Sequence, residues 1–332
     1  MNKKVLLAGA AVAIAAGAVT LALAQKKYTI VTVVKITGIN WFNRMEEGVL
    51  EFGKSGEAKT SQTGPATADV ALQIKIVEDL IAKNVAAIAV VPNDPAAMEP
   101  VLKKAMDRGI KIVTHEADNQ VNTQYDIEAF ENPAYGARLN QRLGECMKGE
   151  GKWTTFVGSL GNQTHVQWAD GGIANATANF PKMELVDAKQ ETNNSADTAY
   201  AKAQEMLKKY PDIKGFQGAS SLDVVGIGRA IEEAGLQDKT CVFGTSLPSM
   251  TDKLMETGAV DGISFWDPKD SGIVQSKVAL MLVKGETVAD GADLGVPGYN
   301  KVTVRKGAGA GQVILGQAWA DVDKSNMKDY PF

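Results

Sequence analysis

Histidine, cysteine and uninterrupted apolar runs are scarce in this chain. Of its 332 residues, two are histidine (His115, His165) and two are cysteine (Cys146, Cys241). With no Cys-x-x-Cys pair and so few histidines, a zinc site lacks ligands. Nor can a nucleophile–base–orienter set be assembled convincingly from two histidines. Two cysteines are not a disulfide framework. Cys146 falls late in a predicted helix and Cys241 at the start of a predicted strand, so two buried thiols are the expectation, with pairing left open. No basic tail or stripe offsets the near balance of 35 basic and 39 acidic residues, net charge −4, which disfavours a nucleic-acid partner. The first strand is followed by no Gly-x-Gly-x-x-Gly, and the chain has neither a Gly-rich Lys-Ser/Thr loop nor a Gly-x-Ser-x-Gly elbow. The expectation is therefore no cofactor, no metal and no enzyme.

The exception to the shortage of apolar runs is Val5 to Leu23, which follows Lys3 and Lys4 and ends in Ala22-Leu23-Ala24. A basic start, an apolar stretch and a small-x-small site read as an export signal over 1–24, cleaved before Gln25, and predict a periplasmic protein.

Beyond that segment, apolar strand-like runs alternate with amphipathic helical ones, the pattern of parallel strands joined by crossover helices. Tyr28–Val34, Ala58–Ser61, Val85–Val91 and Ile110–Thr114 read as strands. Between them, Trp41–Gly53, Val70–Lys83 and Pro95–Arg108 read as helices. Asp94 before Pro95 is a start signal and Gly109 a stop signal. The pattern then begins again, with predicted strands at Lys152–Val157, Leu185–Ala188, Gly215–Gly218 and Val242–Gly244. Ser195 and Asp223 read, like Asp94, as helix N-caps. No Pro/Ser-rich linker separates the halves, which fits strands that cross between two lobes. Crossings are placed after Gln124–Phe130, at Trp266-Asp267 and in the tail from Val302 to Asp321. The expectation is an α/β protein of two doubly wound parallel-sheet lobes on a three-segment hinge. The first lobe takes 25–130 and 267–300, and the second 131–266 and 301–332.

In such sheets ligands sit beyond the carboxyl ends of the strands. There this sequence places Lys35, then Gly38 and the group Asn40-Trp41-Phe42-Asn43, then His115-Glu116. The second half contributes Thr164-His165 and Ser220, and the crossover contributes Trp266-Asp267. Lys35 and Glu116 are poor core candidates because charged side chains are seldom buried unpaired, which leaves ligand contact, a solvated loop or a mutual ion pair. Aromatic faces pack on the C–H faces of a sugar, while amides, carboxylates and lysine bond its hydroxyls. The candidate ligand residues are Lys35, Asn40, Trp41, Phe42, His115, Glu116, Thr164, His165, Ser220, Trp266 and Asp267.

The export signal, the two halves and the three crossings resemble a type I periplasmic solute-binding protein, the Venus-flytrap receptor of sugar ABC importers. Within it, the likeness is to the autoinducer-2-binding and rhamnose-binding group. Lys35 with Trp41-Phe42, Trp266-Asp267, Gly244-Thr245-Ser246-Leu247-Pro248 and Asp329-Tyr330-Pro331-Phe332 are similar to that group's motifs. The group's Trp-Asp pair corresponds to His115-Glu116, its Asp-Gln pair to Thr164-His165, and its Pro-x-Ala to Gly218 and Ser220. The resemblance implies a monomer that binds a pentose, deoxy-sugar, polyol or autoinducer-2 between its lobes and delivers it to an inner-membrane ABC permease. The alternatives are a quorum-signal or chemosensory receptor docking on a membrane sensor kinase and, last, an exported sugar-processing enzyme.

Overall fold

The computed structural model describes residues 28–332, so the expected export signal lies outside the described residues. The chain starts with β1 (Tyr28–Val33), α1 (Asn40–Gly53), β2 (Ala58–Thr63), α2 (Val70–Ala82), β3 (Ala87–Val90), α3 (Pro95–Asp107) and β4 (Lys111–His115). It continues through β5 (Tyr125–Glu128), α4 (Asn132–Cys146), β6 (Glu150–Val157), α5 (Gln163–Asn179), β7 (Lys182–Leu185) and β8 (Gln190–Glu191). Then come α6 (Ala196–Lys209), β9 (Ile213–Gly218), α7 (Asp223–Ala234), β10 (Cys241–Thr245), α8 (Pro248–Thr257) and β11 (Gly262–Phe265). The last elements are α9 (Pro268–Lys284), β12 (Thr303–Lys306), β13 (Gln312–Leu315) and β14 (Ala320–Asp323).

Two sheets result. The first has the order β12-β13-β5-β4-β3-β1-β2, and the second β14-β11-β10-β9-β6-β7 with β8 also on β6. All pairings are parallel except β12 with β13 and β11 with β14. The central strands are buried on both faces, which is why Ala87 to Val90 reads as a continuous apolar run and Ile30 to Val33 as one interrupted by Thr32.

Local chemistry sets the helix starts. Asp94 accepts from the Ala97 amide at 3.0 Å with Pro95 in the first turn, Asp69 accepts from Leu72, and Ser195 accepts from Thr198. Asp223 departs from expectation. Its carboxylate takes the backward amides of Ala219 and Ser220 and the Thr192 hydroxyl, so it braces the turn before α7 instead of capping the helix. The strand expected over Leu185–Ala188 forms earlier, as β7. Left-handed backbone at Asp187 and Lys189 breaks the extended run before the two-residue β8.

The chain crosses between sheets after β5, after β11 and after β13. The third lies between Leu315 and Ala320, within the tail from Val302 to Asp321, because β12 and β13 belong to the first sheet, with Gln312 to Leu315 registered on Tyr125 to Glu128. The glycines of 307–311 close that hairpin. A Cβ at Gly311 would lie 2.2 Å from the Thr123 carbonyl, so only glycine lets the turn press against the approach to β5. The placing of 301–332 in the second lobe is corrected accordingly: only the part from β14 onward belongs there.

Cys146, at the end of α4, and Cys241, at the start of β10, form a disulfide with Cα atoms 6.1 Å apart; the expectation of two free thiols is overturned. Sequence placed each cysteine in its element, but the packing of α4 across the second sheet brings them together. Asp261 also approaches the sulfurs, which are already spent in the S–S bond.

Candidate functional site

Between the sheets, the strand ends of both lobes meet around one aromatic cluster. Trp266 lies at the second crossing. Its ring packs edge-on to Trp41 of α1 at 4.7 Å, to Phe130 at 5.2 Å and to Trp168 of α5 at 5.6 Å. Phe130 stacks on Tyr135 at 4.1 Å. First lobe, second lobe and hinge thus share one apolar floor.

Above it is a cavity of about 30 Å³, close to one water molecule's share of liquid. Seven of the candidate residues line it: Lys35, Trp41, Phe42, Glu116, His165, Ser220 and Trp266. Lys35, just past β1, is buried and bonds Glu116 at 2.5 Å, with the two side chains 3% and 5% exposed. Each charge cancels the other, so the pair adds no net charge to the cleft. Glu116 follows β4 directly and has a φ of 58°, a left-handed conformation that a non-glycine residue adopts only where its surroundings hold it.

His165 sits in the first turn of α5, where Asn162 caps its amide. The Gly158 amide donates to its Nδ1 at 3.1 Å. That assigns Nδ1 as acceptor and leaves the proton on Nε2. Burial, and then the nearby charge of Lys35, hold the ring well below the usual histidine range, so it is neutral.

The other four candidates are close by but do not line the cavity. His115 lies behind it, donating from Nδ1 to the Ile127 carbonyl at 2.5 Å, and burial keeps it neutral with Nε2 3.8 Å from Glu116. The Thr164 hydroxyl donates to the Glu116 carbonyl at 2.6 Å, from second lobe to first. Asn40 reaches the Ser249 hydroxyl at 3.2 Å, also across the lobes. Asp267 caps α9 and holds Arg44 with two bonds of 3.0 and 2.7 Å. Backbone direction explains these departures. His115 is the last residue of β4, whereas the left-handed turn at Glu116 takes the next side chain out of the strand and toward Lys35. Asn40, Thr164 and Asp267 sit at helix starts whose side chains find partners beside the cleft.

Ile36, Ile39, Trp168, Asn194, Ala219, Ser221 and Thr245 also line the cavity and were not among the sequence candidates. Ile36, Ser221 and Thr245 lie within a residue or two of positions that the strand-end rule singled out. Asn194 carried no such signal, because it lies in an irregular turn before α6.

The periplasmic binding protein domain family matches residues 30–287, most of the chain and all the elements that build the cleft. This chain belongs to that family. A D-ribose/D-allose-binding protein from Pseudomonas aeruginosa is 24% identical over 79% of this chain and 84% of its own length. The D-allose-binding periplasmic protein of Escherichia coli is 24% identical over 78% of this chain and 85% of its own. Among solved structures, LsrB from Clostridium saccharobutylicum, in complex with AI-2, superposes with a TM-score of 0.83 at 19% identity. That match covers 92% of this chain and all of LsrB. An ABC transporter solute-binding protein from Clostridium phytofermentas with bound L-rhamnose gives 0.84 at 19% identity, covering 92% and 98%. At that identity the structures show the shared fold: two lobes of the type I periplasmic binding protein, as the sequence pattern anticipated.

Proposed function

We propose that this binding protein is the substrate-binding component of an ABC importer, which takes a small neutral sugar or sugar-like solute between its lobes and passes it unchanged to an inner-membrane permease. One observation carries this reading: a single cleft is walled by residues of both lobes, with aromatic faces below and hydroxyl, amide and imidazole groups around. That pairing suits a ring with apolar C–H faces and hydroxyl edges. The sugar-binding relatives support it. The lining residues come from both lobes, so the solute enters with the lobes apart and closure follows. Contacts made to both lobes only when closed supply the differential affinity that shifts the equilibrium.

Titration calorimetry of the full protein with L-rhamnose, D-arabinose, D-ribose, D-allose, xylitol and AI-2 tests the proposal. One-to-one binding of at least one solute, recovered chemically unchanged by NMR, is expected. Binding of none, or conversion of a bound solute, rejects it.

A further inference from the structure

Among the described residues, the Asn194 amide has no partner. Its side chain lines the cavity, the residue is 6% exposed, and Nδ2 has no hydrogen-bond acceptor there. A buried donor left unmade costs free energy, and native structures seldom tolerate one without a use. Trp266 has the same property: it lines the cavity, it is 2% exposed, and its indole Nε1 has no acceptor.

Both groups are held rigidly. Asn193 and Asn194 are consecutive left-handed residues, with φ of 53° and 50°. On one side, the Thr192 amide bonds the Val157 carbonyl and its hydroxyl bonds Asp223. On the other, Ser195 caps α6. Left-handed backbone, fixed at both ends, therefore places the Asn194 side chain at the cleft wall. Gly158 makes room for it: a Cβ there would fall 2.2 Å from Asn194 Oδ1. The same glycine's amide orients His165. Trp266 is fixed by the aromatic contacts around its ring.

We propose that Asn194 Nδ2, from the second lobe, and Trp266 Nε1, from the hinge, are two preset donors that select the ligand by its acceptor oxygens. The inference rests on the sugar-binding reading above and sharpens it. With Lys35 cancelled by Glu116 and both histidines neutral, the donors address hydroxyl or ring-ether oxygens of an uncharged molecule, and sugar acids are rejected. A buried donor discriminates strongly, because an analogue lacking the oxygen leaves it unpaired.

The test is calorimetry on the full protein with the solutes named above, the matching uronic acids and monodeoxy analogues of whichever sugar binds. Asn194→Gly keeps the left-handed backbone and removes the amide; Asn194→Asp keeps the shape and replaces the donor; Trp266→Phe keeps the ring and removes the N–H. Each is expected to weaken binding at least tenfold. Against one monodeoxy analogue, Asn194→Gly should equal the wild type. In ¹H–¹⁵N spectra of the wild type, the Asn194 side-chain amide and the Trp266 indole resonances should shift on saturation with the bound sugar. Unchanged affinity in Asn194→Gly and Asn194→Asp, or amide and indole resonances that do not move, overturns this assignment while leaving the sugar reading intact. If the wild type binds none of the sugars, both fall together. The spectra decide the matter even if a variant fails to fold.

Discussion

The Thr164 hydroxyl of the second lobe donates to the backbone carbonyl of Glu116 in the first, at 2.6 Å, while the Glu116 carboxylate holds Lys35. One left-handed residue therefore carries both the charge balance of the cleft and a bond that spans it. Gln167 to Asp118 at 2.9 Å and Asn40 to Ser249 at 3.2 Å cross the same gap.

Removing the Thr164 hydroxyl should loosen closure. A hydrogen bond of this kind contributes about 0.5–1.5 kcal/mol net, up to roughly tenfold in a two-state equilibrium. Thr164→Val is expected to raise the radius of gyration measured by small-angle scattering without ligand. An unchanged radius would show that closure does not depend on this bond.

Breaking the Lys35–Glu116 pair on one side should destabilise the fold, because the surviving charge is buried. Loss of one partner of such a pair costs about 3–5 kcal/mol, while replacing both with apolar side chains is often neutral. Lys35→Met and Glu116→Leu are each expected to lower the denaturation midpoint clearly, and the double variant to recover most of the loss. Additive losses would contradict this account.

The stability that Asp126 contributes should be lost as pH rises through about 7. Asp126 and Glu128 lie buried on one face of β5. Burial is the main cause that pushes Asp126 up to about 7, partly opposed by the Thr114 hydroxyl bond. Burial, then the charge of Asp126, push Glu128 well above the carboxylate range. The folded state thus holds these protons more tightly than the unfolded one. Their contribution is full below the unfolded carboxylate range and is lost as pH rises through the folded values. His115 and His165, shifted the other way, oppose this trend while the unfolded histidines titrate near about 6.5. The melting-temperature advantage of the wild type over Asp126→Asn should therefore shrink as pH rises through about 7; an advantage that does not change with pH would remove Asp126 as a source.

Reducing the Cys146–Cys241 bond should destabilise the second lobe. Its 95-residue separation closes a long loop, for which the expected loss is about 2–4 kcal/mol. Cys146→Ser with Cys241→Ser should lower the melting temperature, checked by calorimetry with and without a dithiol reductant. Equal melting temperatures would show that packing of α4 alone holds the lobe.

Much of the fold and half of the cleft were legible in the residues. Strand and helix alternation is written in apolar period and in caps such as Asp94, and strands buried on both faces leave unbroken apolar runs. Charged and aromatic residues at their carboxyl ends marked Lys35, Trp41, Phe42, Glu116 and Trp266. The lobe boundary at 301 falls too early because a glycine-rich turn inside one sheet and a hinge between two sheets have the same local composition.

By itself, then, the sequence determined the α/β repeat, the two lobes and which strand ends face the cleft, because these follow from periodicity and local capping. Tertiary structure alone decided that Cys146 meets Cys241, that Lys35 is neutralised by Glu116, and that Asn194 reaches the cavity. It also decided that His115, Thr164 and Asp267 turn to other partners. Each of these depends on distances between residues far apart in the chain, and on which face a side chain leaves the backbone. Neither has a local signature.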